Sequence, residues 1–151
     1  MKLLSGTELA GYIKERQAKQ VRNLRQSYST HPKLAIIQTS DNEVIDTYVR
    51  MKQQYGADIL VEVETHKPSN EKLMETIQTC NDDPAVHGII IQLPLDDETQ
   101  TEHAVNAVAP EKDVDGLGEQ SRHVPATAVA IDWLLNGYNI ELRGRKIAIV
   151  G

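Results

Sequence analysis

Tyr48 and Lys52, in the stretch Tyr48-Val49-Arg50-Met51-Lys52, stand four residues apart. On a helix that spacing puts a phenol ring and a primary amine on one face, about one turn from each other. Together they can form a pocket with an aromatic wall and a basic nitrogen. The same spacing also describes a core tyrosine beside a lysine whose stem lies along apolar surface with its ammonium in water. Gln92 follows the apolar run Gly88-Ile89-Ile90-Ile91, which reads as a strand buried on both faces. A buried amide there needs partners for its donors and its acceptor, supplied either by local backbone or by a ligand. Asp113 and Asp115 stand two apart in Pro110-Glu111-Lys112-Asp113-Val114-Asp115-Gly116. Alternate residues of extended chain face opposite ways, so one of the two carboxylates is expected to enter any given site. The alternative is a solvated acidic turn. The calcium-loop pattern fails, because its glycine falls later and a bidentate glutamate must follow.

These residues need elements to hold them. Ser5-Gly6-Thr7-Glu8 has the spacing of a capping box, and Leu9, Ile13, Val21 and Leu24 fall roughly on one face after it, predicting a helix over 7–28. The apolar, β-branched run 33–39 reads as a buried strand. Ser40-Asp41-Asn42-Glu43 offers a second capping box, for a helix carrying Val44, Tyr48, Met51 and Tyr55 and stopped by Gly56. Strands at 58–63 and 87–93 flank a helix at 69–81. A fourth helix is expected before Pro110, with Asp96-Asp97-Glu98 as its acidic first turn. A loop over 110–125 and a fifth helix near 127–136 follow, and 146–151 reads as a fourth strand. Strands alternating with helices predict a three-layer α/β/α domain with a mainly parallel sheet. In such sheets ligands sit beyond the carboxyl ends of the strands, which is where Gln92 and the helix bearing Tyr48 and Lys52 fall. Gly137 and Gly144 read as a hinge. The expected division is a domain over 1–140 and the start of a second unit over 141–151, whose strand closes on Gly151 as a dinucleotide-binding turn begins.

With 151 residues the chain is long enough to bury about two thirds of the surface it exposes when unfolded. A content of 40% hydrophobic and 25% charged residues is that of an ordinary soluble domain rather than a disordered one. The formal charge of −6, with lysines and arginines scattered along the chain, argues against nucleic acid as a partner. Cys80 is the only cysteine, which rules out an internal disulfide, and its setting suggests a buried helical thiol. Five histidines show no HExxH pairing, so no zinc site is expected. No apolar run approaches the roughly 20 residues of a membrane span, and the start lacks the apolar stretch of a signal peptide. A cytoplasmic protein without a membrane partner is the expectation.

Taken together, 48–52, Gly88-Ile89-Ile90-Ile91-Gln92-Leu93-Pro94-Leu95 and 110–116, in this order and spacing, resemble the methylenetetrahydrofolate dehydrogenase/cyclohydrolase family. The likeness runs from Leu3-Leu4-Ser5-Gly6 through 125–128 to Leu142-Arg143-Gly144-Arg145-Lys146 and the closing run. It implies that Lys52 is catalytic, that Gln92 assists it, that Tyr48 stacks on the folate and that Asp115 binds the pterin. It further implies interconversion of methylene-, methenyl- and 10-formyltetrahydrofolate, with NADP or NAD as the cofactor and a homodimer as the full-length assembly. Gly151 would open only part of the cofactor site, so no cofactor is expected on this chain alone. A non-catalytic folate-binding or oligomerisation module of the same fold is the alternative. The sequence departs from the family's pattern at Ile45, where a serine is usual three residues before the tyrosine. Ala126 and Ala128 replace the cysteine and second proline of Pro-Cys-Thr-Pro. The connection 117–124 is shorter than usual, which is expected to thin one wall of the folate pocket.

Overall fold

A computed structural model describes residues 3–149. Its elements, in chain order, are α1 (Gly6–Tyr28), β1 (Lys33–Ile37), α2 (Glu43–Ile59), β2 (Glu62–His66), α3 (Leu73–Asp82), β3 (Gly88–Ile91), α4 (Thr101–Ala107) and α5 (Ala126–Gly137). Short 3-10 turns at Asn70–Lys72 and Glu98–Gln100 lead into α3 and α4. β1 lies between β2 and β3 and is parallel to both, with Ile37 opposite His66 on one side and Ile91 on the other. This is the expected α/β architecture.

Alternation along the strands builds two cores. Ala35, Ile37, Ile89 and Ile91 turn to one face, where Leu73 and Ile77 of α3 and Ala104 of α4 cover them. Ile36 and Ile90 turn to the other, against Ile45 and Val49 of α2. Ile36, Ile37 and Ile89 are wholly excluded from solvent, each contributing about 1.5–3 kcal/mol of burial free energy. Cys80 is buried on the α3 face, and burial pushes its thiol pKa up.

The helix boundaries differ from expectation for identifiable reasons. Ser5 flanks α1 but its side chain makes no cap bond; its N–H instead donates to the Tyr138 hydroxyl at 3.0 Å. Asn42, not Ser40, caps α2, its Oδ1 accepting from the Val44 N–H at 2.8 Å. Gly56 does not stop α2. The helix runs on to Ile59 and ends at Leu60 in the left-handed region, φ 67°. Gly56 is needed for approach: a Cβ there would run into the Val63 side chain and lie 2.9 Å from the Val61 carbonyl oxygen. Because α2 absorbs Asp58 and Ile59, β2 starts at Glu62, later than the predicted 58–63. The expected fourth strand is not formed among the described residues. Residues 146–149 have no ladder partner, Ile147 and Ile149 are exposed, and Gly151 lies outside the described residues.

Candidate functional site

The buried stripe of α2 runs through Ile45, Val49, Gly56 and Ile59. Lys52 falls on it, at helical spacing between Val49 and Gly56, so its stem is directed toward the sheet. On the sheet side, the Gln92 N–H donates to the Ile37 carbonyl at 2.8 Å, continuing the β1–β3 ladder one residue past β3. The two side chains meet at the carboxyl end of the sheet. Lys52 Nζ donates to Gln92 Oε1 at 2.7 Å, and Gln92 Nε2 donates to the Leu93 carbonyl at 3.1 Å. Burial holds the Lys52 ammonium below its ordinary pKa, and attraction to Asp115 partly opposes that effect.

Tyr48, one turn before Lys52, is 56% exposed and so is not a core tyrosine. With Lys52 and Asp115 it borders a cleft of about 480 Å³ whose floor is Leu34, Ile90 and Val114. Gln92 touches this cleft through the lysine rather than lining it.

Asp113 and Asp115 diverge. Asp115 faces the cleft, whereas Asp113 is 4% exposed and accepts from the Gly116 N–H at 3.0 Å and the Gly118 N–H at 2.8 Å. A solvated acidic turn is therefore excluded for Asp113, which is the buried support of its neighbour. The segment is also tied at Lys112. Its carbonyl accepts from the Ile89 N–H at 2.7 Å. Its ammonium donates to the carbonyls of Cys80 (3.1 Å), Asn81 (2.7 Å) and Asp83 (2.7 Å), occupying the carboxyl end of α3. Sheet, helix terminus and turn thus fix the backbone that aims Asp115.

The short 117–124 connection contributes no residue to the lining of the cleft. Gly116, at φ 69°, sits so close to the returning chain that a Cβ would lie 2.7 Å from the Pro125 nitrogen. The loop leaves and returns at one point, and Ala126, at the start of α5, still borders the cleft beside Asp115. Ile45 is 4% exposed among Ile36, Val49 and Ile90, so no hydroxyl stands at that position.

One supporting residue was missed. Gln38, fully buried just past β1, donates to the Ser40 carbonyl at 2.6 Å and to Asp46 Oδ1 at 2.9 Å, and Asp46 accepts from Lys67 Nζ at 3.0 Å. It fastens the first turn of α2 to the end of β1. Its signal was the one that singled out Gln92, an amide closing an apolar run.

The described residues do not fit a nicotinamide dinucleotide. None of the three strand-to-helix turns contains a glycine, so none lets backbone approach a pyrophosphate at a helix N-terminus. Among the described residues no cluster of three His, Cys, Asp or Glu is placed to hold a metal ion.

The family described as tetrahydrofolate dehydrogenase/cyclohydrolase, catalytic domain, matches residues 4–115. The Bifunctional protein FolD 2 of Lactobacillus johnsonii is 33% identical over 163 residues, covering 99% of this chain and 57% of the relative. The chloroplastic Bifunctional protein FolD 4 of Arabidopsis thaliana is 32% identical, over 99% of this chain and 46% of its own length. The chain thus spans about half the length of these relatives. Among solved structures, the bifunctional FolD enzyme of Campylobacter jejuni superposes with a TM-score of 0.89 at 30% identity, over 95% of this chain and 56% of that one. The Trypanosoma brucei N5,N10-methylenetetrahydrofolate dehydrogenase-cyclohydrolase, solved with NADP and an inhibitor, gives 0.86 at 26% identity, over 95% and 54%. With its cleft-bearing domain matched from residue 4 to residue 115, the chain belongs to the tetrahydrofolate dehydrogenase/cyclohydrolase family.

Proposed function

We propose that this chain supplies the folate site of an enzyme interconverting 5,10-methylene-, 5,10-methenyl- and 10-formyltetrahydrofolate. The observation that carries the reading is the 2.7 Å hydrogen bond from Lys52 to Gln92 beside a cleft that also holds Tyr48 and Asp115. Tyr48 offers a ring face for an aromatic substrate. Asp115, an acceptor-only carboxylate, suits the donor-rich edge of a pterin. Oxidation of the methylene carbon needs a hydride acceptor, NADP or NAD in the longer protein, that no described residue is built to hold. The chemistry assigned to this chain is therefore the hydrolytic half.

In that half, water adds to the cationic methenyl carbon and loses one proton to give a neutral carbinolamine; the bond from that carbon to N5 then breaks as the hydroxyl gives up its second proton and N5 takes one, leaving the carbonyl on N10 and one proton released overall. A lysine whose ammonium is disfavoured by burial gives up its proton more readily than an exposed one, which suits it to take a proton from water and return one to N5. Gln92 holds that amine in place. The same reading carries a cytoplasmic location and a homodimeric full-length enzyme as expectations; among the described residues no helix is long and apolar enough to cross a membrane.

The test is the decay of the methenyl chromophore of 5,10-methenyltetrahydrofolate in the presence of the chain. Hydrolysis above the uncatalysed rate is expected, and its loss in Lys52→Ala; equal rates in the two proteins would remove Lys52 from catalysis. Ile45, an apolar residue where the family places a serine, favours a second reading, folate binding without turnover. Binding by both proteins with no hydrolysis by either would select it.

A further inference from the structure

Tyr55 stands where two clefts meet. Three residues past Lys52, and so about 4.5 Å further along α2, it borders the site cleft. It also borders a larger cleft, of about 920 Å³, between α1 and α5. Val114 and Ala126 are the other residues common to the two. A molecule seated at Lys52 and Asp115 that outgrows the site cleft therefore passes Tyr55.

The ring of Tyr55 is held from two sides. Its hydroxyl donates to Gln17 Oε1 on α1 at 2.6 Å. The Lys14 ammonium lies 5.5 Å from the ring centroid, within cation–π range. Lys14 is itself paired with Asp58, which also accepts from Gln54 Nε2 at 2.9 Å. A bond that only joined α1 to α2 would be complete there, but the Gln17 amide has a second end. With its oxygen taken by the phenol, it turns its Nε2 away, and that nitrogen has no hydrogen-bond partner among the described residues. The side chain borders the larger cleft beside Leu9, Ile13 and Leu134. Two N–H donors of fixed orientation thus stand on an apolar wall, separated from the site by Tyr55, and they call for an acceptor. Because Lys14 is balanced by Asp58, a neutral carbonyl meets these donors at less desolvation cost than a carboxylate.

Resting on the folate reading above, we propose that Gln17, oriented by Tyr55, is a specificity-determining residue that donates to the benzoyl carbonyl of the bound folate. That carbonyl is carried para to N10, a full ring beyond the atoms attended by Lys52. Tyr55 acts through Gln17 and is a positioning residue: its phenol fixes which end of the amide faces the ligand.

The experiment is calorimetric titration of the whole chain with two analogues of 5-formyltetrahydrofolate, in which a para-acetylphenyl or a para-isopropenylphenyl group replaces the benzoylglutamate. The two have nearly the same shape and differ in one carbonyl oxygen. The acetyl form is expected to bind about fivefold more tightly, the effect of one neutral hydrogen bond. Gln17→Glu keeps an oxygen to accept from Tyr55 and removes the donors, so the ratio is expected to fall to one or below. In Tyr55→Phe the amide is no longer held, and the ratio is expected to lie between those of the other two proteins. Equal binding of the two analogues by the unaltered chain, or a preference that survives Gln17→Glu, overturns the inference and leaves the folate reading intact. A ratio in Tyr55→Phe equal to that of the unaltered chain overturns the role of Tyr55. No binding of 5-formyltetrahydrofolate itself overturns the folate reading, and the inference falls with it.

Discussion

Gln92→Leu removes the acceptor from Lys52 while keeping a side chain of similar size. The bond is 2.7 Å long, the ammonium is half-buried, and no carboxylate of the described residues lies within ion-pair distance of it. A hydrogen bond to a charged group contributes about 1.5–3 kcal/mol. Losing the acceptor disfavours the charged amine, in the same direction as burial already acts, so Lys52 is expected to titrate lower than in the unaltered chain. Gln92→Glu places a negative acceptor at the same point and is expected to move the titration up. Asp115→Asn removes an attraction that favours the ammonium and is expected to move it down. The assay needs no substrate: the acylation of Lys52 by an amine-selective reagent is followed against pH by peptide mass spectrometry, with exposed Lys19 as the internal standard. An unchanged midpoint in Gln92→Leu, or shifts of one sign in both Gln92 variants, would refute the assignment of Gln92 as the partner of the charged amine.

Two further substitutions test the frame that holds the site. Gly56→Ala gains about 1 kcal/mol of helix propensity, but the new methyl lies 2.9 Å from the Val61 carbonyl oxygen and meets Val63. Overpacking against backbone costs about 1–3 kcal/mol or more, so a net loss of stability in urea is expected, and a net gain would disprove the close approach of α2 to β2. Asp113→Ala leaves the Gly116 and Gly118 N–H groups without their carboxylate acceptor. At about 1–3 kcal/mol each, a loss of roughly 2–6 kcal/mol is expected, with faster amide exchange at both glycines; unaltered exchange there would show that Asp113 does not hold the turn.

The parts of the fold that follow from local rules were legible. Continuous apolar runs at 33–37 and 88–91 marked β1 and β3, because an apolar, β-branched run bounded by turns has few other uses. Lys52 and Gln92 were visible as polar residues in apolar patterns. What failed depended on partners distant in the sequence. Gly56 reads as a helix stop until Val61 and Val63 are known to press against it. Asp113 and Asp115 cannot be told apart by type, because the Gly116 and Gly118 N–H groups that claim one of them arise from a turn formed only in the fold. Ser5 and Ser40 had the spacing of caps, yet the Ser5 side chain makes no cap bond and a nearer asparagine caps α2. The run 146–149 has the composition of a strand, and composition supplies no ladder partner.

The sheet has two outer strands, and they are protected in different ways. Along β2 the exposed Glu62 and Glu64 carboxylates make the edge a poor template for another chain. Along β3 the protection comes from the loop that aims Asp115, bridged from Asp113 to Ile89 and bonded from the Lys112 carbonyl. Four apolar or small residues, Gly88 to Ile91, lie beneath it. Evolution or engineering that reshapes this loop for a new ligand therefore works on the cover of an aggregation-prone edge, and its first penalty is self-association before any loss of affinity. Within this domain, the freedom to change specificity near Asp115 is bounded by solubility.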